Sequence, residues 1–270
     1  MMAGMLLATV ASVATGQSDG GVATIDPESK PTARRDTDDE SVGRDAKPPR
    51  EQARRSYLGR VVAAPMSHLG APWLIRGNRQ QEEDVQQSYA QLGLPPGGTV
   101  VDLGCGNGFW TLPMARDLGE RGRVLAVDIQ PEMLQLLRAR ADRNDIVNVE
   151  PILGAVDDPR LPIGAVDLVL MVDVYHEFSH PQSMLWHIRR ALKPEGVIAL
   201  LEYRDEDDEV PIKPLHKMSK PQIIKEYSAN GLKLVREFND LPWQHLMFFA
   251  RDDSPLPEIE PEPWSPRSDD

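Results

Sequence analysis

The segment from Thr99 to Ala115, TVVDLGCGNGFWTLPMA, constrains the fold more than any other part of this 270-residue chain. It joins an apolar run, an acidic residue, three glycines at alternate positions and an apolar helical pattern. Gly104 and Gly106 permit a sharp turn and a close backbone approach to a ligand, where a Cβ would clash. Gly108 opens a helix whose free N–H groups can bind an anionic group. This order predicts a ligand-binding loop between a strand and a helix.

Between Val85 and Ala250, short apolar runs alternate with segments of helical period. Such alternation predicts an α/β fold, a Rossmann-like doubly wound and mainly parallel sheet of seven strands. Runs such as DLVLMV and GVIALL are continuous, as expected for strands covered by helices on both faces. The predicted strands are residues 99–103, 123–128, 147–152, 166–172, 196–202, 232–238 and 244–250, and the predicted helices are 110–118, 131–143, 181–192 and 220–230.

The two ends of the chain differ in composition from its middle. The first residues, MMAGMLLATVASVATG, form a short apolar run ending in small residues, which favours a signal peptide and export, although no Lys or Arg precedes the run. Without such a leader we expect a cytoplasmic protein. No stretch reaches the roughly 20 apolar residues of a membrane span. We predict a signal peptide at 1–16, a disordered linker at 17–50, a cap segment at 51–84, a ligand-binding domain at 85–251 and a disordered acidic tail at 252–270.

Charge and cysteine content narrow the possible partners. The formal net charge of −12 argues against a nucleic-acid partner, because phosphate binding relies on clustered Lys and Arg. A single cysteine, Cys105, excludes an intrachain disulfide and a cysteine-based metal site. We therefore expect a small-molecule partner.

Two acidic residues flank the glycine loop. Asp102 lies directly before the loop and can accept a hydrogen bond from an ammonium group. Asp128 ends the next predicted strand, where a carboxylate can bind both hydroxyls of a ribose. A nicotinamide-dependent oxidoreductase shares that second feature, but its G-x-G-x-x-G pattern requires glycine at position 109, where this chain has Phe109.

The motifs VVDLGCGNG and VLAVDIQPEML resemble motifs I and II of the class I S-adenosylmethionine (SAM) dependent methyltransferases. The resemblance spans Val85 to Ala250 and is strongest to the small-molecule branch, of type 11 and type 25, which includes quinone-biosynthesis enzymes. In that family an acidic residue after the third strand contacts adenine; here Ala155 stands at that place, so Asp157 or Asp158 must substitute. The resemblance implies SAM as cofactor, bound by Asp102, Gly104, Cys105, Gly106, Asp128, Ile129, Asp157 and Asp173.

The residues after the fourth predicted strand are expected to face the methyl group, because ligands bind beyond the carboxyl ends of parallel strands. His176 is the candidate general base, with Glu177 or Asp173 to orient it. Tyr175 is expected to line the pocket and contact the sulfonium through its ring face. Asp173, His176 and Glu177 lie on one short turn and do not form a convincing metal triad, so no metal is predicted. His216, in the connection after the fifth strand, is a weaker candidate.

These features predict an enzyme that transfers a methyl group from SAM to an oxygen, sulfur or carbon atom of a small molecule. Arsenite methyltransferases belong to the same branch, but they hold arsenic with several cysteines, and Cys105 alone cannot do that. Two alternatives remain open: a noncatalytic SAM-binding protein and, with less support, the nicotinamide-dependent oxidoreductase. The oligomeric state does not follow from the sequence.

Overall fold

A computed structural model describes residues 51–265 of the chain. The predicted signal peptide and linker, over residues 1–50, lie outside the described residues, and so do residues 266–270. Within the described range, none of the helices is both long enough and apolar enough to cross a bilayer.

The centre of the fold is a seven-stranded sheet in the order β5-β4-β3-β6-β7-β9-β8. All neighbouring pairs from β5 to β7 are parallel, whereas β9 is antiparallel to both β7 and β8. The predicted doubly wound α/β fold is confirmed. The strands are β3 (Thr99–Leu103), β4 (Arg123–Asp128), β5 (Val149–Leu153), β6 (Val166–Val172), β7 (Leu192–Tyr203), β8 (Leu232–Phe238) and β9 (Gln244–Arg251), after a separate hairpin of β1 (Ser56–Tyr57) and β2 (Arg60–Val61).

Helices connect the parallel strands and cover both faces of the sheet. Pro131, Pro181 and Pro221 each lie in the first turn of a helix, where the missing N–H costs no hydrogen bond. The side chain of Ser219 caps the last of these helices by accepting a hydrogen bond from the backbone N–H of Gln222. The helices are α1 (Arg79–Glu83), α2 (Val85–Gln91), α3 (Thr111–Leu118), α4 (Pro131–Asp142), α5 (Pro181–Ala191) and α6 (Lys220–Ser228).

Strand β6 shows why its apolar run is continuous. Its side chains alternate between the two faces of the sheet, and both faces are buried. Val169 and Met171 belong to the core on the α5 side, together with Leu185. Leu168 and Leu170 belong to the core on the α3 side. The central positions of such a strand, residues 168–171, are therefore all apolar, whereas Asp167 near its start is only half-buried.

The N-terminal segment, residues 51–84, lies against the carboxyl ends of the strands. It contains the β1–β2 hairpin, a 3-10 helix at His68–Ile75 and helix α1. The backbone N–H of Ala63 donates to the carbonyl of His176 at 3.1 Å. The backbone N–H of His68 donates to the side chain of Gln130 at 2.8 Å. These contacts attach the segment to the loops that follow β6 and β4.

The prediction of a disordered tail after Arg251 is wrong for residues 252–265. The backbone N–H of Ile259 donates to the carbonyl of Leu234 at 2.9 Å, so the tail runs along β8. Lys220, which is buried, donates to the carbonyl of Glu262 at 2.7 Å. The sequence of the tail shows no strand pattern, because it is rich in prolines and acidic residues. Its hydrogen bonds with Leu234 and Lys220 hold it in place instead.

We expect the Gly108→Ala variant to lose more stability than Gly164→Ala. Both glycines have positive φ, +83° and +62°, where a side chain costs about 1–2 kcal/mol. A Cβ on Gly108 would also lie 2.2 Å from Cδ1 of Leu137, whereas at Gly164 nothing lies within 4 Å. Urea unfolding of both variants measures the difference. Equal losses would show that the loop relaxes away from α4 without cost.

Candidate active site

A cavity of about 1020 Å³ opens at the carboxyl ends of β3, β4 and β6. The connections after β3 and β6 leave the sheet in opposite directions, which makes this the topological switch point where ligands of such sheets bind. The N-terminal segment forms the opposite wall through Pro65, Met66 and Leu74. The volume is at the upper end of the range for ligand pockets, about 300–1,000 Å³, and leaves room for two bound molecules.

The glycine loop brings bare backbone to the cavity wall. Gly104 and Gly106, both of which line the cavity, have φ values of +77° and +53°. A Cβ on Gly104 would lie 2.6 Å from Val174, and one on Gly106 would lie 2.6 Å from Leu74. The space that a side chain would need is already filled. These two predicted positions therefore require glycine for a structural reason as well as for ligand approach.

Asp128 lies at the end of β4 with its carboxylate fixed by the backbone. One oxygen accepts from the N–H of Gly106 and the other from the N–H of Gln130, both at 2.9 Å. Burial raises the pKa of Asp128, and these hydrogen bonds oppose the rise. Its neighbour Ile129 is 40% exposed and, like Asp128, lines the cavity. Asp128 therefore lines the cavity where the sequence predicts a contact to a ribose, and Ile129 where the resemblance implies a contact to SAM.

Asp102 and Cys105 are placed differently from the prediction. Neither is part of the cavity wall formed by residues 51–265. The carboxylate of Asp102 is buried and accepts a hydrogen bond of 2.5 Å from the hydroxyl of Thr111, the first residue of α3. Burial raises its pKa to about 6. Cys105 packs with Leu112 and Leu134 on the far side of the loop. Asp102 thus supports the loop from behind and does not face the cavity.

Asp157 also departs from the prediction. It is exposed, and the cavity wall of the described residues contains Ala155 and Val156 in its place. The side chain of Asp158 accepts from the backbone N–H of Arg160 and stabilises the local turn. The cavity wall is therefore apolar, through Ala155 and Val156, where the family resemblance implies a carboxylate near adenine.

His176 is held by Glu202, and not by either of the two residues predicted to orient it. Its Nδ1 lies 2.6 Å from Oε2 of Glu202, a fully buried carboxylate at the end of β7. Its Nε2 lies 2.9 Å from Nδ1 of His216. Burial lowers the pKa of His176, but the charge and hydrogen bond of Glu202 outweigh burial and raise it overall. Both histidines line the cavity.

Two further carboxyl groups face the cavity beside His176. Oε1 of Glu177 accepts from the backbone N–H of Met66, and burial raises the pKa of Glu177 to about 7. Asp173 has a positive φ of 51° and accepts two hydrogen bonds of 2.9 Å from Gln244. Burial, followed by the nearby charge of Glu83, raises the pKa of Asp173 well above its usual value. This end of the cavity is polar, in contrast to the wall formed by the N-terminal segment.

Tyr175 does not line the cavity wall of residues 51–265, contrary to the prediction. It is fully buried, and its hydroxyl donates to Glu226 at 2.8 Å. Arg60 binds the same carboxylate through Nε and Nη2, at 2.8 and 2.9 Å, and lies over the tyrosine ring. Another nitrogen of Arg60 donates to the carbonyl of His176. Tyr175 is therefore part of a buried polar cluster that attaches β2 to α6.

Sequence reasoning missed Arg60, Glu226 and Gln244, which position the predicted residues. Each lies on a different element from its partner, and no local pattern in the sequence links them. Arg79 also lines the cavity, but its Nε donates to Glu83 at 2.7 Å, and its guanidinium lies over the ring of Phe109.

We expect Tyr175→Phe to lower the free energy of unfolding by about 1.5–3 kcal/mol, the usual value of a hydrogen bond to a charged group. Because Tyr175 lies outside the cavity, the affinity for a cavity ligand should stay within about twofold of the wild type. Tyr227→Phe is the matched control, since the buried hydroxyl of Tyr227 has no partner among the described residues. Urea unfolding and titration calorimetry check both statements. A large loss of affinity in Tyr175→Phe alone would place Tyr175 at the ligand.

Comparisons with known proteins agree with this geometry. Residues 100–196 match the sequence model of the family described as "Methyltransferase domain". Over this region the chain is similar to the methyltransferases, in agreement with the resemblance of its two motifs. The matched region runs from β3 into β7. It contains the glycine loop, Asp128 and His176.

Two relatives and one solved structure indicate the range of similar proteins. An arsenite methyltransferase of Halobacterium salinarum is 34% identical, over 40% of this chain and 27% of its own length. A 2-methyl-6-phytyl-1,4-hydroquinone methyltransferase of Synechocystis is 29% identical, over 64% of this chain and 55% of its own. The chain thus spans about half, or less, of these relatives' lengths. A SAM-dependent methyltransferase of Aquifex aeolicus superposes with a TM-score of 0.64 at 24% identity, over 68% of this chain and 98% of that structure, and shows the shared fold.

Proposed function

We propose that this chain is an enzyme that transfers the methyl group of SAM to an oxygen, sulfur or carbon atom of a small molecule. One observation carries the proposal. One wall of the cavity, at the switch point of the sheet, contains the backbone of Gly104 and Gly106 together with the carboxylate of Asp128. That arrangement suits an adenosyl group, with ribose hydroxyls on Asp128.

The amino-acid part of SAM carries both an ammonium and a carboxylate group. Asp173 and Arg79 are the acidic and the basic group that line the cavity for these two charges. An ammonium group beside Asp173 would favour its ionised form and oppose the rise in its pKa that burial causes. Asp102 is not included among these contacts, because it lies outside the cavity wall of residues 51–265 and accepts from Thr111 behind the loop. The cavity contacts of SAM then come from Gly104, Gly106, Asp128, Ile129 and Asp173.

The acceptor occupies the remaining space, beside His176 and Glu177. Methyl transfer is an in-line displacement, so the protein must align donor and acceptor and remove a proton where the acceptor carries one. Glu202 holds the imidazole of His176 in one orientation. The hydroquinone in the name of one relative has an apolar ring that suits the wall of Pro65, Met66 and Leu74, and hydroxyl groups that suit the polar end. Arsenite is a poorer candidate, because Cys105 is buried and burial raises the pKa of its thiol well above the usual value.

The oxidoreductase alternative has less support. Phe109 replaces the third glycine of the dinucleotide motif and packs edge-on against Trp110 at 5.7 Å. The noncatalytic alternative uses the same SAM contacts and differs only in the absence of turnover.

Titration calorimetry with SAM, S-adenosylhomocysteine and NADH tests the cofactor. We expect one equivalent of each adenosyl compound to bind and no binding of NADH. Asp128→Asn should weaken S-adenosylhomocysteine binding about 10–100-fold, the value of one or two lost hydrogen bonds to a charged group. Asp142→Asn, an exposed residue at the end of α4, is the control and should bind as the wild type does.

A preference for NADH, or equal binding by the Asp128→Asn variant, would contradict the proposed cofactor. Formation of S-adenosylhomocysteine with a panel of thiols, phenols and hydroquinones then tests catalysis. Binding of SAM without turnover of any acceptor would favour the noncatalytic alternative.

A further inference from the structure

Three potential metal ligands meet at the polar end of the cavity. They are Nε2 of His176, Nδ1 of His216 and a carboxylate oxygen of Glu177, and all lie within 4.8 Å of one another. The two histidine nitrogens are 2.9 Å apart, and Nε2 of His176 lies 4.0 Å from Oε1 of Glu177. All three residues line the cavity. Their ligand atoms therefore converge on one point of the wall.

A second, independent observation is the partner on the other side of His176. The buried carboxylate of Glu202 lies 2.6 Å from Nδ1 and also accepts from the backbone N–H of His176. A proton on Nδ1 then leaves the lone pair of Nε2 directed at His216 and Glu177. Metal-binding histidines usually donate their other N–H to a carboxylate in this way, which fixes the ring and makes it a better ligand.

We propose that His176, Glu177 and His216 bind a zinc ion whose fourth coordination position opens into the cavity. Two imidazoles and one carboxylate suit Zn²⁺, whereas Mg²⁺ and Ca²⁺ prefer oxygen ligands only. Three protein ligands and one open position are the usual arrangement of a catalytic zinc site. The sequence predicts no metal, because Asp173, His176 and Glu177 lie on one short turn. In the structure Asp173 accepts a hydrogen bond from Gln244, and His216, 40 residues after His176, takes the third position.

The site needs little movement to accept the ion. Two nitrogens bound to a tetrahedral zinc at about 2.0–2.1 Å are about 3.3 Å apart, against 2.9 Å between His176 and His216. His216 is half-buried and lies in a 3-10 turn, Pro214–His216, of the connection between β7 and α6. Glu177 accepts from Met66, and its Oε1 lies 4.0 Å from Nε2 of His176, so this side chain moves toward the ion by less than about 1 Å. A small rotation of the His216 ring opens the space for the ion.

The role of this zinc in catalysis rests on the proposed function, whereas the binding of zinc does not. An acceptor with a thiol, phenol or enol group binds the open position as its anion and releases its proton to water. A lone pair of that donor atom then attacks the methyl carbon of SAM. The carbon–sulfur bond breaks, its electron pair stays on sulfur, and S-adenosylhomocysteine leaves as a neutral thioether. Zinc thus selects acceptors with an acidic O–H or S–H group.

Metal titration of the full chain, purified without a polyhistidine tag and dialysed against EDTA, tests the site. We expect one equivalent of Zn²⁺ to bind in calorimetry, and one equivalent of Co²⁺ to give the intense visible absorption of tetrahedral cobalt. His216→Asn and Glu177→Gln should each weaken Zn²⁺ binding by more than about 100-fold, because losing a ligand costs more than the 10–100-fold typical of an outer partner. Glu202→Gln should fall within that 10–100-fold range.

His180→Asn is the matched control. His180 lies four residues after His176, and its ring contacts the hydroxyl of Ser179 outside the proposed site. This variant should bind Zn²⁺ as the wild type does. Circular dichroism and thermal unfolding of each metal-free variant show that the substitution has not unfolded the protein.

Absence of stoichiometric Zn²⁺ binding would overturn the proposal and leave His176 and His216 as a hydrogen-bonded pair. Binding that survives in both His216→Asn and Glu177→Gln would overturn it too, by placing the metal elsewhere. S-adenosylhomocysteine binding, measured on the same metal-free samples, separates this test from that of the proposed function. Intact adenosyl binding with no zinc binding would reject the metal site alone.

Discussion

The carboxylate of Glu202 is the group on which the geometry of this cavity depends. It lies at the end of β7 without exposure to solvent, and it accepts from the backbone N–H groups of Tyr175 and His176 as well as from the imidazole of His176. A buried carboxylate without such partners would be strongly unfavourable. The turn after β6 is consequently fixed to the neighbouring strand, and His176 faces the cavity in one orientation.

Around this centre, the sheet supplies the rest of the site through its topology. The carboxyl ends of β3, β4 and β6 lie side by side, so the glycine loop, Asp128 and His176 share one edge although about 70 residues of sequence separate the first from the last. The N-terminal segment closes the opposite side. Arg60 attaches it to Glu226 of α6 through two hydrogen bonds, and such a buried pair is costly to break, about 3–5 kcal/mol. The cavity thus depends on contacts between distant parts of the chain.

Most of the fold could be predicted from the sequence because its signals are local. Apolar runs placed β3, β4 and β6 at their observed bounds, the mixed apolar and charged run LKLVREF placed β8, and prolines marked the starts of three helices. The glycines were found because one tight loop fixes their spacing, and Asp128 because it ends the next strand of the same strand–helix–strand unit. Side-chain directions were not predictable in this way. Asp102 turns to Thr111, and Tyr175 turns to Glu226, 51 residues away. His176 and His216, 40 residues apart, are brought together only by the connection after β7.

A crystal structure of the protein with S-adenosylhomocysteine tests the central claim most directly, namely that one cavity aligns donor and acceptor. The account predicts the ribose hydroxyls on Asp128 and the sulfur directed at the polar end formed by His176, Glu177 and His216. An adenosyl group bound outside this cavity, or a sulfur directed away from His176, would contradict it.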